Sequence, residues 1–166
     1  VRPSPHTNPP TYPCPPSNDC ETVTAGAQTS HPHIAHESDI GRAIDVATVI
    51  GGADIGQSVV VANLLVLGVE GPEGTDNMLR RMQDLPAAFL GTAKARKGLL
   101  AKLPKPQQDR RVDLPTIGTR TIEGADAAHL AGVVYEAGGA LFDDFDAVVA
   151  LAEEKGLFLL GLESDA

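Results

Sequence analysis

The sequence predicts an α/β protein, with one mixed, layered α/β domain behind a disordered N-terminal tail. Stretches with apolar residues at helical spacing alternate with short runs of Val, Leu and Ile, which is the pattern of a mixed α/β layer fold. The composition changes abruptly near Glu37, because residues 1–36 hold eight of the 13 prolines and almost no large aliphatic residues. We therefore expect a disordered, proline-rich tail over residues 1–36 and a folded domain over residues 37–166.

The charge of the chain argues against one broad class of partner. The net charge is −9, whereas a general nucleic-acid binder needs a basic footprint, so we expect no nucleic-acid partner. The segment from Lys94 to Arg111 nevertheless holds seven Lys and Arg residues and a single acid. A local basic segment in an acidic protein predicts a site for an anionic ligand.

The sequence carries few marks of a membrane or secreted protein. It has no run of about 18 apolar residues, so no membrane span is predicted. It shows no secretory signal pattern. The two cysteines, Cys14 and Cys20, both lie in the predicted tail, which excludes a disulfide scaffold for the domain.

The predicted domain begins with a helix and a β-hairpin. Apolar residues recur at helical spacing over residues 37–50, and Ser38 or Asp39 can cap that helix. Residues 57–62 and 66–70 are apolar or β-branched runs that indicate two paired strands. The connection between them lacks the glycine that tight hairpin turns usually contain.

The turn after the hairpin is a first candidate site. Glu70, Glu73, Thr75 and Asp76 place three carboxylates and a hydroxyl between a strand end and the start of a helix that runs to about Leu85. Ligand sites of α/β proteins favour this location. The alternative is an ordinary helix start, capped by Thr75 or Asp76, whose acids complement the helix dipole.

The second candidate site is the loop from Lys102 to Gly118. It follows a buried strand at residues 98–101, and its three prolines restrict the backbone. Cations in such a loop can bind phosphate oxygens, and a carboxylate among them can hold a divalent metal or orient a water molecule. The alternative is a solvated turn with surface ion pairs. The charged side chains of the loop are Lys102, Lys105, Asp109, Arg110, Arg111 and Asp113.

Alternating elements complete the predicted domain. A helix from Thr119 to about Ala131 offers free N–H groups to an anion at its start. Residues 133–136 read as a strand that ends in Glu136, which is either a third candidate or an ordinary strand-end carboxylate.

The last three predicted elements need no functional explanation. A short strand covers residues 140–142, and Asp143 caps a helix that stops at Gly156. Residues 157–161 then form a buried strand.

Several of these motifs, in this order and spacing, resemble one enzyme family. The chain is similar to the C-terminal domain of the metal-dependent UDP-2,3-diacylglucosamine pyrophosphatases of bacterial lipid A synthesis, of the type unrelated to the calcineurin-like enzymes. The similarity runs from about Ser38 to Leu162. The segments that carry it are Asp54-Ile-Gly-Gln-Ser-Val-Val-Val61, Glu70, Glu73-Gly-Thr-Asp76, Val112-Asp-Leu-Pro-Thr-Ile-Gly118 and Gly156-Leu-Phe-Leu-Leu-Gly161.

The resemblance implies a reaction and roles for particular residues. The family hydrolyses the pyrophosphate of UDP-2,3-diacylglucosamine to UMP and 2,3-diacylglucosamine 1-phosphate with Mg²⁺ or Mn²⁺. The Asp of its Val-Asp-Leu-Pro motif is important for catalysis, and here that residue is Asp113. The expected metal ligands are Asp113, Asp76 and Glu73, and the expected substrate-binding residues are Thr75, Lys102, Lys105, Arg111 and Thr116.

The resemblance also implies partners and a location. Family members carry an additional N-terminal domain, so we expect a second domain, or another chain, to complete the site around the nucleotide-lipid substrate. The expected location is the cytoplasm, with peripheral contact to the inner membrane. The alternative function is a non-catalytic remnant that binds an anion or a nucleotide.

Overall fold

A computed structural model describes residues 26–31, 33–107 and 114–163 of the chain. These residues form a mixed six-stranded β-sheet with helices on both faces, which confirms the predicted α/β fold class. The predicted tail lies outside the described residues up to residue 25.

The predicted helices and strands occur in the expected order along the chain, with the following bounds. The helices are α1 (Glu37–Gly52), α2 (Gly74–Met82), α3 (Ala87–Leu90), α4 (Thr119–Ala127) and α5 (Phe145–Lys155), with a 3-10 turn at Ile34–His36 before α1. The strands are β1 (Gly26–Ala27), β2 (Ser58–Ala62), β3 (Leu65–Val69), β4 (Gly91–Thr92), β5 (Ala95–Arg96), β6 (Leu99–Lys102), β7 (Thr116–Ile117), β8 (Gly132–Glu136), β9 (Leu141–Phe142) and β10 (Phe158–Leu162).

The main sheet has the strand order β1-β10-β8-β6-β2-β3. Strands β6, β8 and β10 are parallel, whereas β2, β3 and β1 join the sheet by antiparallel pairing. Helices α4 and α5 connect the parallel strands, as βαβ crossovers require. Two small pairs, β4 with β5 and β7 with β9, lie outside the main sheet.

The alternation of side chains along the strands produces two cores. One face of the sheet packs against α1, whose apolar stripe includes Ile40 and Ile44. The other face packs against α2, α4 and α5, with Leu79, Ile122 and Val148 contacting it. The result is a three-layer arrangement in which the strands of the sheet centre are buried on both faces.

The prediction of a disordered segment up to residue 36 is wrong for residues 26–31 and 33–36. Strand β1 pairs with β10, and Thr29 accepts a hydrogen bond from the backbone N–H of Leu159 (3.1 Å). Glu153 of α5 accepts from the backbone N–H and the hydroxyl of Ser30. The proline-rich composition could not predict these contacts, because their partners are the last strand and the last helix, which lie far away in the sequence.

Several predicted helix caps also differ from the structure. Asp144, and not Asp143, caps α5 by accepting from the backbone N–H of Ala147 (2.9 Å). Neither Ser38 nor Asp39 caps α1, and α2 and α4 begin without a side-chain cap. Helix α4 ends at Ala127 because His129 adopts a left-handed conformation (φ 57°).

The carboxylate of Asp39 stabilises the hairpin turn that lacks glycine. Asn63 and Leu64 connect β2 to β3, and both have positive φ angles, 51° and 65°. Such a turn normally requires glycine at one of the positions. Here Asp39 accepts hydrogen bonds from the backbone N–H groups of Asn63 (3.0 Å) and Leu64 (2.6 Å). The residue expected as a helix cap therefore fixes a turn on the neighbouring hairpin.

We expect Asp39→Ala to lower the free energy of unfolding by about 2 kcal/mol, because two backbone N–H groups in a strained turn lose a charged acceptor. Urea denaturation measures the change. Asp45→Ala on the exposed side of the same helix is the matched control, with an expected change within about 0.5 kcal/mol. Equal losses in the two variants would contradict the role assigned to Asp39.

Arg96 joins the C-terminal ends of two helices. Its guanidinium forms an ion pair with the Asp126 carboxylate of α4 and donates to the carbonyl oxygens of Asp126 (3.4 Å), Leu130 (3.3 Å) and Lys155 (3.1 Å). The side chain is only 14% exposed. One cation thus supplies hydrogen bonds to carbonyl groups at or just after the ends of α4 and α5.

Within the described residues, no helix has the length and apolar character needed to cross a bilayer.

Candidate active site at the carboxyl ends of the parallel strands

Four neighbouring strands of the main sheet, β8, β6, β2 and β3, bring polar residues to one end of the sheet. The parallel strands β6 and β8 end there, at Lys102 and Glu136. Because β2 and β3 are antiparallel, the start of β2 at Ser58 and the residue after β3, Glu70, lie at the same edge. Helix α2 begins shortly after Glu70. The carboxyl ends of parallel strands are the usual ligand site of open α/β sheets.

Lys102 is the buried cation of this edge. Its side chain is 7% exposed and lies on the sheet face that packs against α2 and α4. Burial lowers the pKa of its ammonium, while the charges of Glu70 and Asp76 act in the opposite direction. In the described ranges this ammonium makes no hydrogen bond or ion pair. A buried cation that makes no direct hydrogen bond or ion pair with the described residues is suited to bind an anion.

Glu70 is a buried carboxylate beside this lysine. It is 8% exposed, and its backbone N–H donates to the carbonyl oxygen of Ser58 (2.9 Å). Its Oε2 atom is buried without a hydrogen-bond partner among the described residues. An unpaired buried carboxylate oxygen destabilises the free protein by about 1–3 kcal/mol or more, which points to a missing cation or donor.

Thr75, predicted as a substrate-binding residue, lies at the same edge. Its hydroxyl is hydrogen-bonded to the Ser58 hydroxyl (3.0 Å), and both residues are buried. Two hydroxyl groups that share one hydrogen bond retain a second hydrogen to donate. The structure therefore brings Thr75 and Lys102 together on adjacent elements and adds Ser58, which sequence reasoning missed.

The two carboxylates predicted as metal ligands have different surroundings. Asp76 lies in the first turn of α2, and its carboxylate is 3.8 Å from the guanidinium of Arg120 on α4. Glu73 accepts a hydrogen bond from Arg81 (3.1 Å). The pKa of Glu73 is held below its ordinary value, first by hydrogen bonding to its own backbone N–H and then by Arg81. Of these two carboxylates, Asp76 affects the pKa of Lys102, as Glu70 also does.

Lys105 lies away from Lys102, on the other face of the sheet. Its ammonium forms an ion pair with Asp54 (2.8 Å) after the end of α1. Its backbone also packs against Gly51 of that helix. The loop after β6 thus separates two lysines that are neighbours in the sequence.

The other predicted site residues are placed as follows. Thr116 is exposed in β7, which pairs with β9. The predicted catalytic residue Asp113 and the predicted substrate-binding residue Arg111 lie outside the described residues. Within the described ranges, no group of three or more His, Cys, Asp or Glu side chains could hold a metal ion.

Tyr135 is a site residue that the sequence analysis passed over. It is fully buried on β8, directly beside Lys102 in the strand register. Its hydroxyl has no hydrogen-bond partner among the described residues. A tyrosine one residue from the carboxyl end of a buried strand was the available signal, but alternation alone cannot tell a core ring from a site hydroxyl.

Comparisons with known proteins show which family this sequence resembles. Residues 24–160 match the family described as the LpxI C-terminal domain. The chain is also 57% identical over 128 residues to the UDP-2,3-diacylglucosamine pyrophosphatase LpxI of Caulobacter vibrioides. The match covers 77% of this chain and 46% of that protein, so the chain spans about half the length of this relative.

Proposed function

Because this chain belongs to the LpxI C-terminal domain family, we propose that it provides part of an enzyme that hydrolyses UDP-2,3-diacylglucosamine in lipid A biosynthesis. The products would be UMP and 2,3-diacylglucosamine 1-phosphate. The observation that carries the proposal is the buried ammonium of Lys102 at the carboxyl edge of the sheet, which forms no hydrogen bond or ion pair with the described residues. A pyrophosphate would give this ammonium a direct anionic partner.

The proposed reaction replaces one bridging P–O bond. A water oxygen bonds to one phosphorus, the bond from that phosphorus to the bridging oxygen breaks, and the other phosphate leaves with the electron pair. Charge on the transferring and leaving groups must be stabilised in the transition state. Lys102 supplies a fixed positive charge, and the first turns of α2 and α4 add backbone N–H groups nearby, as the Asp76–Arg120 approach indicates.

We propose that Asp113 and Asp76 hold Mg²⁺ or Mn²⁺, with Glu70 as a further oxygen donor. The fit is supported by the unpaired buried Oε2 of Glu70, because carboxylate oxygens are the ligands that these ions prefer. When bound, the metal would neutralise phosphate charge. Glu73 fits less well because its carboxylate is bonded to Arg81. Magnesium sites commonly use one or two carboxylates together with substrate phosphates, so a small set of protein ligands suffices.

We further propose that a second domain or a second chain completes the site, as the 46% coverage of the relative suggests. A substrate with two acyl chains also requires contact with a membrane surface, which the additional domain could provide together with this one. We keep Arg111 and Thr116 as proposed contacts to the pyrophosphate. Lys105 is proposed as a more distant contact, because its ammonium is paired with Asp54.

The experiment is UMP release from UDP-2,3-diacylglucosamine with Mg²⁺ or Mn²⁺. We expect the metal chelator EDTA to abolish turnover and Asp113→Asn to lower it at least about 100-fold, because the neutral amide is a weaker metal ligand and cannot accept a proton from water. Asp45→Asn, at an exposed position on α1, serves as the matched control and should leave turnover unchanged.

Other outcomes distinguish the alternatives. Metal-dependent binding of the substrate without turnover would favour the non-catalytic remnant, or an incomplete enzyme that needs its second domain. Restored turnover on addition of the other half of a relative would identify the incomplete enzyme. Absence of both binding and turnover, with and without that half, would contradict the proposal.

A further inference from the structure

Three neighbouring strands carry polar side chains in one row. Ser58 of β2 pairs in register with Lys102 of β6, and Lys102 pairs with Tyr135 of β8. Tyr135 lies in the core under α2, α4 and α5. Lys102 shares that face because it is two residues after Leu100 of the same core, and Ser58 because it is two residues before Val60.

All members of this row can donate a hydrogen bond that the described residues do not accept. Among the described residues the Tyr135 hydroxyl has no hydrogen-bond partner, and the Lys102 ammonium forms no hydrogen bond or ion pair. The Ser58–Thr75 pair retains one hydroxyl hydrogen. Unpaired buried donors are rare in folded proteins because each destabilises the free state, so a row of them requires an explanation.

We propose that this donor row, made of Ser58 with Thr75, Lys102 and Tyr135, binds the oxygens of a phosphoryl or pyrophosphoryl group, with the Tyr135 hydroxyl as a direct ligand contact. The inference rests on the proposed function and adds Tyr135 and Ser58 to its binding residues. An acceptor-rich anion is the ligand class that matches the row, because each member of the row offers a donor; the unpaired Glu70 Oε2 beside it is the acceptor assigned above to the metal. Adjacent strands lie about 4.8 Å apart, so an anion on Lys102 is within reach of the strands on both sides.

The tyrosine is suited to this role by its protonation state and its fixed position. Burial raises the pKa of the phenol well above its ordinary value, so the hydroxyl keeps its hydrogen at neutral and mildly alkaline pH. The ring packs edge-to-face on Phe142 at a centroid distance of 5.1 Å, and Phe142 packs in the same way on Phe145 (5.3 Å). A donor held in this way loses little entropy when the ligand binds.

The test measures binding of inorganic pyrophosphate to the full 166-residue chain by titration calorimetry in the presence of Mg²⁺. We expect Tyr135→Phe to weaken binding by about 10- to 100-fold, the effect of one hydrogen bond to a charged acceptor, and Ser58→Ala to weaken it by about 10-fold. The melting temperature of Tyr135→Phe should stay unchanged or rise, because an unpaired buried hydroxyl is removed. Thr48→Val, which removes a hydroxyl on α1 at the other face, is the matched control and should bind as the wild type does.

Each remaining outcome counts against the inference in a distinct way. Wild-type affinity in Tyr135→Phe, together with UMP release by the unaltered chain or by the chain with its second domain, would overturn the role of Tyr135 and leave the proposed function standing. A melting temperature lowered in Tyr135→Phe, with unchanged affinity, would show that the hydroxyl has a structural partner instead. Failure of the unaltered chain to bind pyrophosphate would overturn the donor row, and the UMP assay would judge the proposed function separately.

Discussion

Replacing Lys102 by Met is expected to lower kcat/KM for UDP-2,3-diacylglucosamine hydrolysis by about 1,000-fold. A fixed charge in a water-excluded site stabilises a developing anion far more than it would in water, and removal of one such group typically slows catalysis by about 100- to 1,000-fold. Lys102 carries a full charge, is 7% exposed and has the acids Glu70 and Asp76 nearby. Without the lysine, the negative charges of these two carboxylates would repel the pyrophosphate, and this positive charge would no longer offset them.

The same substitution should leave the fold intact. Burial lowers the pKa of Lys102 despite the two acids, so the surroundings stabilise its positive charge less well than water does. Methionine keeps most of the aliphatic stem, and we expect an unchanged or higher melting temperature. Steady-state kinetics and pyrophosphate calorimetry provide two independent readouts.

The matched control is Lys94→Met, which removes a lysine from the exposed connection between β4 and β5. It should keep both activity and affinity within about 2-fold, since it removes an equal charge far from any buried acid. Lys102→Met with near wild-type turnover would remove this lysine from the site. A large effect in both variants would instead indicate a long-range effect of net charge.

The second large effect is on stability, at Arg96. We expect Arg96→Met to lower the free energy of unfolding by about 2–3 kcal/mol, less than the loss for a fully buried ion pair because Asp126 is 31% exposed. The substitution would leave the Asp126 carboxylate without this partner and would remove the guanidinium donor from the carbonyl oxygens of Leu130 and Lys155. Urea denaturation and calorimetric melting measure the loss.

Arg120→Met is the matched control for Arg96. Arg120 also faces an aspartate, but its side chain is 83% exposed and the separation is 3.8 Å. Exposed pairs of this kind contribute about 0–1 kcal/mol, so its effect on stability should be small. A similar loss of stability in the two variants would contradict the structural role of Arg96.

The order of the elements could be predicted because the apolar pattern of each one is local. The stripe of α1, the β2–β3 hairpin and the glycine stop of α5 at Gly156 all appear in the expected places. Features that depend on distant partners could not be predicted. Strand β1 forms only against β10, and the turn at Leu64 tolerates its positive φ because Asp39 of another element holds it.

Only the parts of the candidate site that follow from local sequence could be predicted. Lys102 and Thr75 were identified because they lie at strand and helix ends, where ligand sites are common. The prediction grouped Lys102 with Lys105 by sequence distance, but the chain passes from one face of the sheet to the other between them. Arg96 belonged to the same basic segment, yet its charge is used to satisfy helix carbonyls. Sequence spacing shows which cations are near in the chain, not which ones share a face.

The strand order has a consequence for the way the chain folds during synthesis. Each main-sheet strand from β3 to β10 pairs with a main-sheet strand already made, so the sheet can grow outward from β2 as the chain emerges. Strand β1 is the exception, because it must wait for β10, and the Thr29–Leu159 hydrogen bond spans 130 residues. Closing such a long loop comes late on the folding pathway. Attachment of residues 26–31 to β10 and α5 is therefore the last step in the assembly of the sheet. In a chain that lacks β10, this segment would stay accessible to proteases and chaperones.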